Sequence, residues 1–401
     1  MMKIALHLPR LNHLRVLGPI AHAALARDWR AHFLCPDGGP KDDAGAFLGH
    51  PDGLFGTAGW LSGATAERVM GAADMVEKLR PYHVVVSVGL RLPDWMSTYV
   101  VPATRGRTRW VSAGYLQEEL LHVLEDGPAR LAEWDLVTTS SARGVEVLTE
   151  ELARRRLGWA ALVARQSFLV VGAPALDPLA ALDRSACRRK HILPTGQRVL
   201  LFVPAARPQL MARWRQALFS GDLQWAAPLV GVPTYRRVVA AVVRYAQRHD
   251  ALVLIKTRAK SVNPSWLGQA GRLIGDASWY PHTTLELLRA ADVYCGFASA
   301  MAVEATAAGL PQTHFLAWPP HAAEHPLFLP FRERLYLEDG PWRHLGVASS
   351  LDLWETPRLV DHWAETAPWP GRPGVIAATH ALAPVVQCAD GHASDRLLDA
   401  L

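Results

Sequence analysis

The chain has 401 residues, of which 50% are apolar and 20% are charged. This length predicts two domains rather than one core, and the composition excludes an intrinsically disordered protein. The net charge is +5, and the four cysteines lie far apart without a Cys-x-x-Cys pair. Cysteines of this kind predict reduced, mostly buried thiols, which suits a cytoplasmic enzyme.

Short apolar runs alternate with segments of helical period in the N-terminal half, which is typical of parallel βα units. The predicted strands are Lys3–Leu8, Ala31–Cys35, His83–Val88, Arg109–Ser112, Asp135–Thr139 and Phe168–Val171. The predicted helices between them are Val16–Asp28, Ala66–Arg80, Gln117–Leu124 and Ala142–Arg155.

The C-terminal half repeats this rhythm. Strands are predicted at Arg198–Val203, Ala251–Lys256, Ser278–Tyr280, Val293–Gly296 and Thr313–Ala317. Helices are predicted at Tyr235–Arg248, Ser265–Ile274, Thr284–Ala291, Ala300–Ala308 and Ala393–Leu401. We therefore predict an N-terminal domain at 1–172, a linker at 173–197, a C-terminal domain at 198–385 and a closing helix within 386–401.

Two basic or polar loops follow predicted strands of the C-terminal half. Lys256 and Arg258 stand where a buried strand opens into a loop, and cations there can neutralise a diphosphate. His282 lies in the loop before the predicted helix Thr284–Ala291, where it would cover a ligand at the strand edge. A solvated basic turn is the alternative for the first of these loops.

The segment from Gly296 to Pro311 is the most informative part of the sequence. A strand ends at glycine, and Ser299 occupies the predicted N-cap of a helix whose free N–H groups favour an anion. Glu304 lies in the second turn, where a carboxylate can accept hydrogen bonds from ribose hydroxyls. Gly309 and Pro311 end the helix. A capped helix with a glycine stop is also common without any ligand.

The order of these segments resembles the C-terminal half of the GT-B glycosyltransferases. It is similar, more narrowly, to CDP-glycerol glycerophosphotransferase-like enzymes and to UDP-N-acetylglucosamine 2-epimerases. The matching positions are Gly172, Pro174 and Asp177 of a turn between domains, Ser299, Glu304, Gly309 and Pro311 of a donor-binding element, and Asp390, Gly391, Ala393, Ser394 and Arg396 of a closing helix.

The resemblance implies an α/β fold of the GT-B type, in which two Rossmann-like, doubly wound parallel-sheet domains face each other across a cleft. It also implies that Lys256, Arg258, His282, Ser299, Ala300 and Glu304 bind the donor. The chain departs from the glycerophosphotransferases at Thr257-Arg258, where they have His-Pro, and at Ala300, where they have a second serine. These departures favour general glycosyl transfer.

The N-terminal half offers candidates for the catalytic base. His13 lies in the loop after the first strand, and a neutral imidazole there can deprotonate an acceptor hydroxyl. Glu118 and Glu119 are rival carboxylates. The sequence has no Asp-x-Asp motif, which predicts that cations and a helix N-terminus, rather than a metal ion, balance the donor diphosphate.

Two further segments predict contact with a lipid-linked acceptor or an anionic membrane surface. These are the arginines at Arg105, Arg107 and Arg109, and the apolar stretch Leu157–Val163 with its basic flanks. An exposed charged loop and ordinary core packing are the alternatives for the two segments.

The sequence therefore predicts a metal-independent, cytoplasmic glycosyltransferase of polysaccharide biosynthesis, peripheral to the inner face of the cell membrane. Its partners would be a nucleotide-sugar or CDP-alcohol donor and a glycan or lipid-linked acceptor. No cofactor and no nucleic acid is expected. The alternatives are a CDP-glycerol-type polyol-phosphate transferase and a non-catalytic nucleotide-sugar-binding protein.

Overall fold

The structure is a computed structural model. It describes residues 1–36, 61–114, 128–154, 168–204, 227–257, 265–275, 283–297, 301–316, 348–353, 356 and 358–401. The described residues form two compact units. Unit 1 contains those of 1–181 and 383–401, and unit 2 contains those of 182–278 and 283–382.

Unit 1 is built on a seven-stranded sheet with the order β3-β2-β1-β4-β5-β6-β7. All described pairings in it are parallel. Its strands are β1 Lys3–His7, β2 Arg30–Pro36, β3 Thr65–Val69, β4 Val84–Val88, β5 Arg109–Ala113, β6 Leu136–Thr139 and β7 Phe168–Val170. Because β1 and β4 are buried on both faces, they are largely apolar, with Lys3 at the start of β1 and His7 and Ser87 near the carboxyl ends.

The helices of unit 1 follow its strands, and the last one lies in residues 383–401, which we call the C-terminal return. They are α1 Leu14–Ala26, α2 Ala72–Leu79, α3 Val101–Thr104, α4 Ala142–Arg154, α5 Asp177–Ala181 and, in the return, α12 Ala393–Asp399. The core of the unit joins Leu14, Leu17 and Ile20 of α1 to Ile4 and Leu6 of β1, and all five are buried. The apolar spacing of α1 thus fixes which face of the sheet it covers.

Unit 2 is built on a six-stranded parallel sheet with the order β10-β9-β8-β11-β12-β13. Its strands are β8 Arg198–Val203, β9 Ala251–Lys256, β10 Arg272–Ile274, β11 Val293–Phe297, β12 Gln312–Leu316 and β13 Ala348–Asp352. Its helices are α6 Arg184–Lys190, α7 Ala227–Arg248, α8 Thr283–Ala290, α9 Met301–Ala307, α10 Leu359–Thr366 and α11 Val375–Leu382.

Aromatic rings dominate the core of unit 2 between α7, α10 and the sheet. Tyr245 of α7 stacks on Trp363 of α10 with ring centroids 4.3 Å apart, and Phe315 of β12 meets the edge of Trp363 at 5.5 Å. Such pairs add to the free energy gained from burial alone. They hold the outer helices to one face of the sheet.

Two predicted helices are wrong in part. Residues 66–69, expected to open the helix Ala66–Arg80, belong to strand β3. Gly71, with a φ of 138°, separates this strand from α2. Residues Ser265–Ile274 form a 3-10 turn and strand β10 instead of one helix. A Cβ at Gly271 would lie 2.6 Å from the Val253 carbonyl oxygen, so this glycine lets the chain pack tightly against β9.

Other differences between prediction and structure are smaller. Strand β13 was not predicted, and neither were the helices α3, α5, α6, α10 and α11. Helix α7 begins eight residues before its predicted start at Tyr235. The predicted strands that lie within the described residues match their positions within a few residues. The predicted helix Gln117–Leu124 and the predicted strand Ser278–Tyr280 lie outside the described residues.

The Gly172–Asp177 turn and the closing helix, which the resemblance brought together as motifs, contact each other inside unit 1. The Asp177 carboxylate accepts hydrogen bonds from the backbone N–H groups of Ala393 (2.9 Å) and Ser394 (2.7 Å) at the start of α12. Arg396 donates through Nε to the Val171 carbonyl at 2.8 Å and pairs with Asp390. These contacts fasten the C-terminal return to the turn.

Replacing Gly172 by alanine is expected to destabilise unit 1 strongly. Gly172 has a φ of +89°, and a Cβ there would lie 2.3 Å from the Cys388 carbonyl oxygen. The positive φ alone costs about 1–2 kcal/mol, and the clash adds roughly 1–3 kcal/mol. Urea unfolding measures the change. Gly106→Ala is the matched control, because Gly106 has a φ of +82° and open space around its Cβ position. Equal losses in the two variants would contradict the packing role of Gly172.

Candidate functional site

Each sheet has a topological switch point, a place where neighbouring strands connect in opposite directions. In unit 1 it lies between β1 and β4, and in unit 2 it lies between β8 and β11. Ligands of such open parallel sheets bind at the carboxyl ends of the strands beside the switch point. The two switch points are therefore where the candidate residues have to be located.

The switch point of unit 2 contains a glycine that no other residue can replace without movement of its neighbours. A Cβ at Gly296 of β11 would lie 2.6 Å from the Tyr294 hydroxyl oxygen and 3.2 Å from the Val203 carbonyl oxygen at the end of β8. The tyrosine ring therefore fills the space above the glycine. Its buried hydroxyl lies at the switch point.

Glu304 lies on α9, the helix that follows β11, and its side chain is 0% exposed. Burying a carboxylate costs free energy unless other groups compensate it, so fully buried glutamates have a specific role. Gly309 follows α9 with a φ of +66°, as predicted for the residue that ends this helix. Glu304 thus lies, fully buried, on the helix that follows the switch-point strand β11.

Lys256 lies at the carboxyl end of β9, on the other side of β8 from β11. It is 5% exposed, and its Nζ donates to the Thr257 carbonyl oxygen at 2.8 Å. Thr257 is in turn held by its backbone N–H, which donates to the Ile274 carbonyl oxygen at 2.9 Å. A buried cation therefore lies at the carboxyl end of the strand that neighbours β8.

A buried polar network supports α9 from the side of β12. Gln312 donates through Nε2 to the Thr306 hydroxyl at 2.7 Å and accepts from the His314 ring at 3.0 Å through its Oε1. The His314 ring lies 5.8 Å from the ring of Tyr294. The network orients the helix that carries Glu304. Sequence reasoning missed it, although the polar residues Gln312 and His314 inside a buried strand were a signal.

Several predicted site residues lie outside the described residues. These are Glu118, Glu119, Arg258, His282, Ser299 and Ala300. Their predicted roles stay predictions. Of the predicted site residues, the structure describes Lys256, Glu304 and His13.

The switch point of unit 1 contains a histidine that sequence reasoning did not single out. His7 ends β1, is 1% exposed, and its Nδ1 lies 2.9 Å from the Ser87 hydroxyl on β4. Its Nε2 is buried and has no hydrogen-bond partner among the described residues. Burial, together with the nearby charge of His13, lowers the pKa of His7 from 6.5 to about 3. His7 is therefore neutral at physiological pH.

His13 is near enough to His7 for its charge to act on that ring. It ends the turn Leu11–His13 and stands immediately before α1, with its side chain half-buried. The structure thus brings together the predicted base and a second imidazole at one switch point. A polar residue at the end of the otherwise apolar run Lys3–Leu8 was the sequence signal for His7.

The protonation of His7 predicts how stability depends on pH. Because its pKa is about 3 in the folded chain and 6.5 in the unfolded chain, the unfolded state binds more protons between these values. Its contribution is fully present above pH 6.5 and is lost as the pH falls toward 3. We expect wild type to lose about 2 kcal/mol more than His7→Gln between about pH 7 and pH 5. Urea unfolding at each pH checks this, and parallel profiles would contradict it.

Two of the three arginines predicted to contact an acceptor or a membrane donate hydrogen bonds to backbone carbonyls within unit 1. Arg109 donates through Nη1 to the carbonyl oxygens of Ala400 (2.9 Å) and Leu401 (3.3 Å). Arg105 donates to the Ala132 carbonyl oxygen. Arg109 therefore holds the end of the C-terminal return, which is a structural role that the prediction lacked. The stretch Leu157–Val163 lies outside the described residues.

In the part of the chain that the structure describes, no group of three or more His, Cys, Asp or Glu side chains is arranged to hold a metal ion. The helices within those same ranges are each too short or too polar to cross a membrane.

The sequence matches no protein-family model and no curated protein. Solved structures do match. The UDP-GlcNAc 2-epimerase of Methanocaldococcus jannaschii has a TM-score of 0.56 at 10% identity, with 100% of each chain covered. The wall teichoic acid polymerase TagF has a TM-score of 0.55 at 12% identity, with 100% of this chain and 88% of that chain covered. The chain has the GT-B fold.

A third structure of the same fold is MnaA of S. aureus, determined with UDP. It has a TM-score of 0.53 at 10% identity, with 99% of this chain and 95% of that chain covered. These likenesses confirm the predicted fold class of two Rossmann-like parallel-sheet domains. At such identities they concern the fold alone.

Proposed function

We propose that the chain is a metal-independent glycosyltransferase that moves a sugar from a nucleotide-activated donor to a surface-polysaccharide or lipid-linked acceptor. The observation that carries this proposal is the fully buried Glu304 carboxylate on the helix after the switch-point strand β11. Ligands of doubly wound sheets bind at that place. The presence of UDP in one structure of the same fold is consistent with it.

Glu304 accepts hydrogen bonds from the ribose hydroxyls of the donor in this proposal. A carboxylate suits this role because charge-assisted hydrogen bonds are stronger than neutral ones. Lys256 balances part of the diphosphate charge, and Arg258, His282, Ser299 and Ala300 complete the donor site. The donor is a substrate, and no cofactor takes part.

The transfer step needs a base, a leaving group and a way to hold the charge that develops. The acceptor oxygen attacks the anomeric carbon of the sugar while the bond from that carbon to the diphosphate oxygen breaks. His13 of unit 1 takes the acceptor proton, and Glu118 is the alternative base. The nucleoside diphosphate leaves with the bonding electron pair, and Lys256 with Arg258 stabilises its negative charge.

Transfer of a polyol phosphate from a CDP-linked donor is the second candidate. It is favoured by the likeness to TagF, one structure of which was soaked with CDPG and has a TM-score of 0.50. In that reaction the acceptor oxygen attacks the phosphorus that carries the polyol rather than a carbon, the diphosphate bond breaks, and CMP leaves with the bonding electron pair. A chain that binds nucleotide sugars without turnover is the third candidate.

Calorimetric titration with UDP, GDP, CDP and ADP, each with and without EDTA, tests the proposal. Binding of UDP or GDP that EDTA leaves unchanged supports glycosyl transfer, whereas binding of CDP alone supports polyol-phosphate transfer. Tight binding without turnover of any activated donor supports the binding protein. Failure to bind any of the four nucleotides would contradict a nucleotide-donor site.

A further inference from the structure

Two arginines from distant parts of unit 2 converge where α8 ends and β11 begins. Arg184, the first residue of α6, pairs with the Asp292 carboxylate. Arg372, which precedes α11, donates through Nη2 to the carbonyl oxygen of the adjacent Ala291 at 2.8 Å. Carbonyl groups at the end of a helix attract cations, so one arginine here has a structural explanation. A second guanidinium beside it is more than this purpose requires.

A third arginine, Arg289, comes from the last turn of α8 itself. It donates through Nε to the Leu182 carbonyl oxygen at 2.9 Å, two residues before Arg184. Burial lowers the pKa of Arg372, and the nearby charges of Arg184 and Arg289 lower it further, while Asp292 opposes them. The three guanidiniums are therefore near one another. We call Arg184, Arg289 and Arg372 the Arg372 cluster.

Positive charge in the Arg372 cluster exceeds the negative charge that faces it. Asp292 is the carboxylate that acts on Arg372, and one of its oxygens also accepts from the Val199 N–H at 2.9 Å. Asp183 is adjacent to Arg184 in sequence, but its carboxylate caps α6 by accepting from the Ala186 N–H at 2.7 Å. Holding like charges together costs free energy. A ligand with negative charge would remove this cost.

The guanidiniums of the Arg372 cluster retain donors that protein groups do not use. A guanidinium has five N–H donors, and within the described ranges Arg184, Arg289 and Arg372 each make one hydrogen bond. Arg188 is a fourth guanidinium, 3.7 Å from Asp292, but it donates to three backbone carbonyls and is structural. Arg372 is exposed, and the Arg184 side chain is 35% exposed. The cluster therefore opens to solvent at two of its three members.

The Arg372 cluster lies at the opposite end of the strands from the proposed donor site. The backbone N–H of Asp292 donates to the Val199 carbonyl oxygen near the start of β8 at 2.8 Å. Gly296 and Val203 lie at the other ends of β11 and β8. Asp292 and Gly296 are four residues apart along a strand, which is roughly 13 Å. One phosphate group cannot contact both places.

We propose that the Arg372 cluster binds a phosphate group and is a second anion site, separate from the donor site. Arginine forks match phosphate oxygens in geometry. A phosphate group with two negative charges balances the excess of three guanidiniums over one carboxylate, whereas a carboxylate ligand supplies only one charge. The ligand is free phosphate or a small phosphate ester. This site goes beyond the proposed function, because no step of the transfer uses this end of the sheet.

Titration calorimetry of the full chain at about pH 8, where a phosphate ester carries about two negative charges, tests the proposal. The probes are inorganic phosphate and glycerol 3-phosphate, with sodium chloride of equal ionic strength as the blank. We expect both probes to bind and to raise Tm, because a ligand of the folded state stabilises it. Equal affinities indicate free phosphate as the ligand, and tighter binding of glycerol 3-phosphate indicates an ester.

Arg289→Gln and Arg372→Gln are expected to weaken phosphate binding about 10- to 100-fold, because each removes charge-assisted hydrogen bonds. The rise of Tm on adding phosphate is expected to shrink with it. A purely structural role would instead lower Tm equally with and without phosphate, and that result would overturn the proposal. Arg358→Gln is the matched control, because Arg358 is an exposed arginine before α10 of the same unit. Its phosphate binding is expected to equal that of wild type.

Lys256→Met separates the Arg372 cluster from the donor site. It removes the cation proposed to balance the donor diphosphate, and a thermal melt reports its fold. Phosphate binding by this variant is expected to equal that of wild type. The proposal is overturned if wild type binds neither probe, or if folded Lys256→Met loses phosphate binding, because the phosphate would then occupy the donor site. It is also overturned if Arg358→Gln weakens binding as much as Arg372→Gln.

Discussion

Replacing Glu304 by glutamine is expected to weaken binding of the donor nucleotide about 10- to 100-fold. The carboxylate would lose charge-assisted hydrogen bonds to the ribose hydroxyls, and each such bond contributes about 1.5–3 kcal/mol. Glutamine has the same shape, so the volume of the side chain at this fully buried position hardly changes. Calorimetry with the best-bound nucleoside diphosphate measures the affinity, and a thermal melt of the same sample reports the fold.

Glu365→Gln is the matched control for this experiment. Glu365 is an exposed glutamate on α10 of the same unit. Its replacement removes one negative charge from the protein surface instead of from a buried position. Nucleotide affinity is expected to equal that of wild type. An unchanged affinity in Glu304→Gln, with an intact fold, would remove Glu304 from the donor site.

Replacing His13 by glutamine is expected to lower kcat about 100- to 10,000-fold, the range that general base catalysis supplies. Nucleotide affinity should change little, because the proposed role of His13 is toward the acceptor hydroxyl and not toward the donor nucleotide. A lower kcat with an unchanged nucleotide affinity distinguishes the loss of a base from general damage to the protein. Single-turnover assays with saturating donor measure the rate.

His22→Gln is the control for the His13 variant. His22 lies on α1, the helix that begins directly after His13, and its side chain is exposed. Wild-type kcat is expected. If His13→Gln retains full activity and Glu118→Gln loses it, the base is Glu118 and the assignment of His13 is wrong.

The fold could be predicted from the sequence because parallel strands are local, continuous apolar runs. Ala251–Lys256 and Arg198–Val203 were predicted with the bounds that the structure has. The helix predicted from Ala66 was wrong in its first residues because the helical sequence pattern continues across Gly71. The φ of 138° at Gly71, which interrupts the helix, is visible only in the structure. Strand β10 was missed because the close approach of Gly271 to Val253 of β9 is a tertiary contact that the local sequence does not show.

In the candidate site, too, features that depend on local sequence could be predicted and features that depend on tertiary contacts could not. Glu304 was predicted because strand, glycine and helix follow one another along the chain, and the structure has it fully buried on α9, the helix after β11. The pairing of His7 with Ser87 was not predictable, because the two residues are 80 positions apart and meet only when β1 and β4 become neighbours. The hydrogen-bonded network of Thr306, Gln312 and His314 was missed because each residue alone is ordinary for the helix or strand that contains it.

The motifs from Gly172 to Asp177 and from Asp390 to Arg396 gained a physical explanation. Sequence reasoning gave the first only as a turn between domains. In the structure the Asp177 carboxylate binds the start of α12, and burial raises its pKa despite the two backbone donors. These motif residues stabilise unit 1, so their presence supports the fold rather than the chemistry.

A crystal structure of the chain soaked with UDP, GDP or CDP tests the central claim most directly. The account predicts that the nucleotide binds at the carboxyl ends of β8 and β11, with its ribose hydroxyls within hydrogen-bond distance of Glu304 and its diphosphate near Lys256. A nucleotide bound elsewhere, with Glu304 contacting only protein groups, would contradict the account.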